Sequence, residues 1–213
     1  MTVFLDPILV LVLLLNIFAL GNSRIPSVIR IVGFQGALLG VMPLLVHEHV
    51  GLMALLLSAA TIFLKGVVIP WMLLRAMREA QIRREMEPLV GFLPSMILGA
   101  LATGLAVAFA RQLPLAKDHL GPLLVPASLA TVLTGFITLT TRFKAISQVV
   151  GYLTLENGIF IFGMLLVEAM PLLVEMGILL DLFVGIFVIS IIVNHINAAF
   201  SSLDTRKLST LKE

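Results

Sequence analysis

The sequence predicts an all-α, polytopic membrane protein of about seven transmembrane helices, and three observations predict it. First, 60% of the residues are apolar, only 12% are charged, and the mean hydropathy is +1.13. A water-soluble domain of 213 residues has no interior large enough for that much apolar surface. Second, the apolar residues come in continuous runs of about 20, the length of helix that crosses a hydrocarbon core ~30 Å thick. Third, these runs do not alternate with polar residues, which removes a membrane β-barrel.

The helices follow in order along the chain. The first is expected over about 3–20; it lacks a basic leader and a small-residue cleavage site, so it reads as a retained span rather than a signal peptide. The second covers about 25–46 and the third about 50–74. A polar stretch at 75–88 then carries Arg75, Arg78, Arg83 and Arg84. It is too short to bury a core of its own. Its Arg75/Glu79 and Arg83/Glu87 pairs, at i,i+4 spacing, suit a solvated continuation of the third helix near anionic lipid. The fourth helix covers about 89–110, the fifth about 123–141, and the sixth about 146–167. A tight turn at 168–171 leads to the seventh, about 172–193. Three units result: a four-helix extension over 1–122, a three-helix unit over 123–196, and a polar tail over 197–213.

Orientation follows from the basic residues. With the first end outside, eleven Lys and Arg fall on the cytoplasmic side, from Arg24 and Arg30 to Arg206, Lys207 and Lys212, with Arg142 and Lys144 among them. Arg111 and Lys117 alone fall outside. The positive-inside rule therefore places the N-terminus out and the C-terminus in. The absence of cysteine excludes disulfides, thiolate metal sites and cysteine-ligated iron–sulfur clusters. A net charge of +2, with no basic patch interleaved with aromatics, gives no sign of a nucleic-acid partner.

Function is read from the charges that fall inside spans. Holding an ionisable side chain at membrane depth costs ~2.5–3.5 kcal/mol on insertion scales, so such residues mark functional sites by default. Glu156 lies about ten residues into the sixth helix, and Asp181 about nine into the seventh. At ~1.5 Å per residue both are roughly 15 Å deep, near the midplane. The short turn between these helices makes them antiparallel neighbours, so the two carboxylates fall at similar height. Carboxylates in such surroundings suit the uptake and release of protons. Equally, they suit hydrogen bonds that hold helices together.

Lys65 is the one basic residue inside a span. Pro70, five residues on, denies an amide donor to the carbonyl of Gly66, so a weakened helix flanks a buried ammonium. Two readings stand for Lys65: a member of a polar gap, or a long stem that reaches the interface. Asn157 beside Glu156, His195 at the cytoplasmic end of the seventh helix, and Glu175 near its outer end are accessory candidates. Asp6 precedes Pro7 and suits the cap of the first helix. His47 and His49 flank Glu48, a spacing too weak to claim a metal site. Gly36/Gly40 and Ala100/Gly104 have the small-xxx-small spacing that lets helices approach closely.

The last three helices resemble the small K-type subunit of respiratory complex I and of its antiporter and hydrogenase relatives. The resemblance runs from Arg142-Phe-Lys144 through Val150-Gly151 to Asn157, and then over Asp181-Leu-Phe-Val-Gly185. In that family a basic turn precedes a helix with a glycine, a glutamate and an asparagine, and the next helix has a carboxylate four residues before a glycine. This chain has Leu153 where the family has its glutamate, two residues after the glycine, and has its own glutamate at Glu156. The whole length is similar to the membrane component E of hydrogenase-4 and formate hydrogenlyase complexes, most clearly over Gln148-Val-Val-Gly-Tyr-Leu-Thr-Leu-Glu-Asn-Gly-Ile-Phe160.

The resemblance implies a non-catalytic membrane-arm subunit in the cytoplasmic membrane of a bacterium or archaeon. Its partners would be large antiporter-like subunits and the peripheral arm of a hydrogenase. The nickel–iron centre and the iron–sulfur clusters would sit on those other chains, with no cofactor or metal in this one. Glu156 and Asp181, with Lys65, would then relay protons. Two other functions fit the same residues: a structural assembly subunit whose buried charges never titrate, and a small standalone ion transporter.

Overall fold

The computed structural model describes residues 5–46, 51–79, 89–113, 122–166 and 170, and positions 174, 176–178, 180, 183, 185–187, 190 and 194. The helices are α1 (Leu5–Gly21), α2 (Ile25–Val46), α3 (Leu52–Phe63), α4 (Ile69–Glu79), α5 (Phe92–Ala110), α6 (Leu124–Thr141) and α7 (Ala145–Gly163). One π-helical turn, Leu64–Val68, joins α3 to α4, and a 3-10 turn, Met164–Leu166, closes α7. Every described position between 174 and 194 is helical. No strand occurs among the described residues beyond isolated bridge positions at Arg24 and Arg142.

Five described helical stretches are long and apolar enough to cross a membrane: Ile25–Leu45, Ala54–Arg78, Phe92–Ala110, Leu124–Thr141 and Ala145–Leu166. Leu5–Gly21 is a shorter apolar helix. The third of the expected helices is thus α3, the π turn and α4 in one rod. The outward faces carry Leu14, Phe18, Phe34, Phe63, Leu105, Phe109 and Phe136, all exposed. Such a surface suits hydrocarbon, not water.

Small residues decide which helices touch. α6 and α7 form the most extensive pair. A Cβ added at Gly135 would lie 2.5 Å from the Leu155 amide nitrogen, and one at Gly158 would lie 2.6 Å from that of Val132. No side chain fits there, so glycine sets the spacing. The Gly36/Gly40 pair acts the same way in α2. An added Cβ at Gly36 would meet the Lys65 Cβ at 2.7 Å, and one at Gly40 would meet Ile62 at 2.6 Å. The Ser58 hydroxyl, donating to the Gly40 carbonyl, fastens α3 to the same strip. Ala100 is exposed and Gly104 has open space beside it, so the second small pair packs against nothing described in this chain.

Two apolar clusters divide the bundle along its length. One joins Leu5, Leu9 and Val12 of α1 with Leu39 and Met42 of α2, Leu124 and Ala127 of α6, and Phe160 and Ile161 of α7. Val174 and Ile178 belong to it as well. The other joins Ile25, Val28, Ile29 and Val32 of α2 with Ile69, Leu73 and Met77 of α4 and Ile146, Val149, Val150 and Leu153 of α7. Between them lies a layer of buried polar residues: Asn16, Gln35, Lys65, Thr131, Glu156 and Asn157.

Arg142, which the sequence places in the basic turn before the sixth helix, has a buried side chain. Its guanidinium donates to the Leu20 carbonyl at 3.0 Å, near the end of α1, and lies 5.1 Å from the centre of the Phe92 ring. The last carbonyls of a helix lack partners and carry the negative end of its dipole, so a cation is favoured there. Burial pulls the guanidinium below its ordinary pKa. It remains charged at neutral pH. The contact gathers the end of α1, the start of α5 and the end of α6 at one end of the bundle.

A buried ion pair in a polar layer

Glu156 sits where the sixth predicted helix was expected to place it, eleven residues past the first residue of α7. That is about 16 Å along the axis. Its neighbours explain the height: Leu153, one turn before, joins one apolar cluster, and Phe160, one turn after, joins the other. The carboxylate is paired with Lys65, whose Nζ lies 3.3 Å from Oε1. Both side chains are almost fully enclosed, at 4% and 2% exposure. The Lys65 ammonium also lies 5.4 Å from the centre of the Phe160 ring, within range of a cation–π contact.

This geometry bears on the second reading of Lys65, the stem that reaches the interface. Its ammonium does not run along the stem to an interface. It turns inward onto Glu156. The π turn makes this possible. The Ile69 amide reaches Leu64 O, five residues back instead of four, and Pro70 has no amide to offer Gly66. The extra residue rotates the rod, so that Lys65, Ile69 and Leu73 face the bundle while Phe63, Val67 and Trp71 face outward.

Glycine brings a further helical segment to the pair. A Cβ added at Gly185 would lie 3.1 Å from Glu156 Oε1, so the backbone at Gly185 rests against the carboxylate. The resemblance expects a glycine there, four residues after a carboxylate. That carboxylate, Asp181, lies outside the described residues, as do Glu175 and His195. So do His47 and His49. Leu153, at the position where the resembled family has its glutamate, is buried among apolar side chains.

A chain of hydrogen bonds runs from the pair across the bundle. Asn157 Nδ2 donates to Gln35 Oε1 at 3.2 Å, Gln35 Nε2 donates to Asn16 Oδ1 at 2.9 Å, and Asn16 Nδ2 donates to Thr131 Oγ1 at 2.8 Å. Thr131 in turn donates to the Ala127 carbonyl at 2.7 Å. Four helices, α7, α2, α1 and α6, are joined by it. The sequence reading missed Asn16, Gln35 and Thr131. The signal was present: Asn16 and Gln35 are lone amides inside otherwise apolar helices, and a buried amide needs a partner.

Chemically, the arrangement can hold a charge pair away from water. Removing either charge leaves the other uncompensated in a poorly solvated site. Among the described residues, no group of three or more His, Asp and Glu could hold a metal ion. The chain has no cysteine to add to one.

No family model matches the chain, and no solved structure matches it either. It is 33% identical over 204 residues to the uncharacterized protein Rv0085 of Mycobacterium tuberculosis (strain ATCC 25618 / H37Rv). The alignment covers 94% of this chain and 92% of that protein. The likeness runs over nearly all of both sequences, and the chain belongs to the same family as Rv0085.

Proposed function

We propose that the chain is a non-catalytic membrane-arm subunit of an ion-coupled, complex-I-like nickel–iron hydrogenase, of the hydrogenase-4 or formate hydrogenlyase type. The observation that carries the reading is the Lys65–Glu156 pair, enclosed at mid-height between two apolar clusters. A passive anchor has no use for a charge pair whose desolvation costs several kcal/mol per ion. The motif from Gln148 to Phe160 supports the particular complex. Under this proposal the chain crosses the inner membrane seven times, N-terminus out and C-terminus in. Lys65 and Glu156 exchange protons with antiporter-like neighbours, and Asp181 is the second carboxylate of the relay. Redox chemistry in a peripheral module on other chains supplies the energy.

One observation favours a second reading, in which the chain only holds its neighbours in place. The Asn157–Gln35–Asn16–Thr131 chain contains no titratable group and ties four helices together, which is what interhelical glue does. Purification of the tagged chain from native membranes tests the proposal. Co-isolation with hydrogenase and antiporter-like subunits is expected, and recovery of the chain by itself under mild detergent would overturn it. The two readings part on Glu156→Gln: the relay loses ion coupling with assembly intact, and the glue loses assembly.

A further inference from the structure

A small cavity, about 10 Å³ in volume, lies on one side of the ion pair. That is room for about one water molecule. It is walled by Ile29, Val32 and Gly33 of α2, Ile69, Pro70 and Leu73 of α4, and Leu153 of α7, with Lys65 and Asn157 as its polar groups. Its apolar wall belongs to the cluster on the Arg75 side of the pair. The other side is filled by Phe160, Ile161 and Leu39.

The hydrogen-bond chain determines which atom Asn157 offers to that cavity. A backbone carbonyl only accepts, so the single hydroxyl hydrogen of Thr131 goes to Ala127 O. Thr131 Oγ1 must then accept from Asn16, which fixes the Asn16 amide with its NH2 toward Thr131. The Asn16 oxygen accepts from the Gln35 NH2, and the Gln35 oxygen accepts from the Asn157 NH2. Every amide along the chain is therefore oriented by one carbonyl at its far end. What remains at the near end is Asn157 Oδ1, which accepts no hydrogen bond from the described residues. The aligned amides put their carbonyl ends on the Lys65 side, where they favour a hydrogen-bond donor or a positive charge.

We propose that the cavity is a water-binding site. One water molecule accepts a hydrogen bond from the Lys65 ammonium and donates one to Asn157 Oδ1. It stands on the side of Lys65 that faces the end of the bundle carrying Arg75, while the side toward Phe160 is packed with apolar side chains. The site holds whether or not the chain serves a hydrogenase.

X-ray radiolytic labelling of the full chain in lipid nanodiscs, read by mass spectrometry, tests it. Hydroxyl radicals form where water is, and they modify the side chains beside it. Pro70 and Leu153 are expected to be labelled at least several-fold faster than Leu9 and Leu39, which are also buried but belong to the other cluster. Asn157→Leu removes the acceptor, and Val32→Ile, a conservative change that keeps the fold, fills the space with one methylene. Each should bring Pro70 and Leu153 down to the rate of Leu9. Labelling in the unmodified chain no faster than at Leu9, or labelling that survives Val32→Ile, would overturn the proposal. Neither result depends on partner subunits or on proton coupling, so the site and the hydrogenase reading fail separately.

Discussion

Replacing Lys65 with methionine removes the ammonium and keeps most of the side chain's apolar length. The consequence can be worked from the geometry. Two unit charges 3.3 Å apart attract by about 5 kcal/mol at an effective dielectric constant of ~20. Removing one partner of such a buried pair costs ~3–5 kcal/mol, because the remaining charge is left without compensation. Replacing both partners is far milder. Lys65→Met should therefore destabilise the chain by about 3–5 kcal/mol. Lys65→Met combined with Glu156→Gln should lose less than the two single changes added together, by ~2 kcal/mol or more. Unfolding in mixed micelles with rising dodecyl sulfate measures this, followed by fluorescence. The chain has a single tryptophan, Trp71, stacked 5.5 Å from the Arg75 guanidinium, which reports on the rod that carries Lys65. A Lys65→Met cost below ~1 kcal/mol, the range of an exposed pair, or additive losses in the double variant would show that the two charges do not depend on each other.

Four further outcomes follow from the packing. Gly36→Ala puts a Cβ 2.7 Å from that of Lys65 and should cost ~1–3 kcal/mol by overpacking, measured in the same unfolding assay. Gly158→Ala should cost a similar amount by forcing α7 off α6, since its Cβ would meet the Val132 nitrogen at 2.6 Å. Gly104→Ala, with nothing within 4 Å, should instead leave stability within ~0.5 kcal/mol or raise it slightly through helix propensity. Arg142→Met should cost ~1–3 kcal/mol, because the Leu20 carbonyl loses a charged donor and Phe92 its cation; hydrogen exchange should rise at the end of α1 in particular.

The fold was largely legible because hydrocarbon imposes one rule on every span: a continuous apolar run of about 20 residues. The expected boundaries of the second and fifth helices fall within a residue of α2 and α6. What the sequence left open is how the rods rotate about their axes. Their hydrophobicity is nearly uniform around the circumference, so periodicity does not say which face is inside. The inward faces are set by glycines that admit a neighbour, such as Gly135, Gly158 and Gly36, and only the packed bundle shows which of the small residues serve. Gly36/Gly40 and Ala100/Gly104 have the same spacing, yet the first pair seats Lys65 and Ile62 while Gly104 meets nothing described in this chain.

The same limit explains the site. Glu156 and Lys65 were each visible as a costly charge, but their pairing was not. Lys65 belongs to a helix 91 residues away in sequence, and its inward turn depends on the π register at Leu64–Val68. Pro70 hinted at a weakened helix, and the π turn is the form that weakness takes. The burial of Arg142 was not legible, because a basic residue in a short turn between spans ordinarily meets water; here the turn packs against the end of α1 and the start of α5. Asn16 and Gln35 were passed over because an uncharged amide costs less in hydrocarbon than a charge does.

Under the proposed function the Lys65–Glu156 pair moves charge and does not merely hold helices. The most direct measurement is proton movement in native membrane vesicles, driven by the electron donor of the purified complex, with assembly verified in each variant. Glu156→Gln and Lys65→Met are predicted to abolish coupled proton movement while the complex stays assembled and its redox turnover continues. Coupled proton movement at the unmodified rate in assembled Glu156→Gln complexes would show that Glu156 has no part in moving charge.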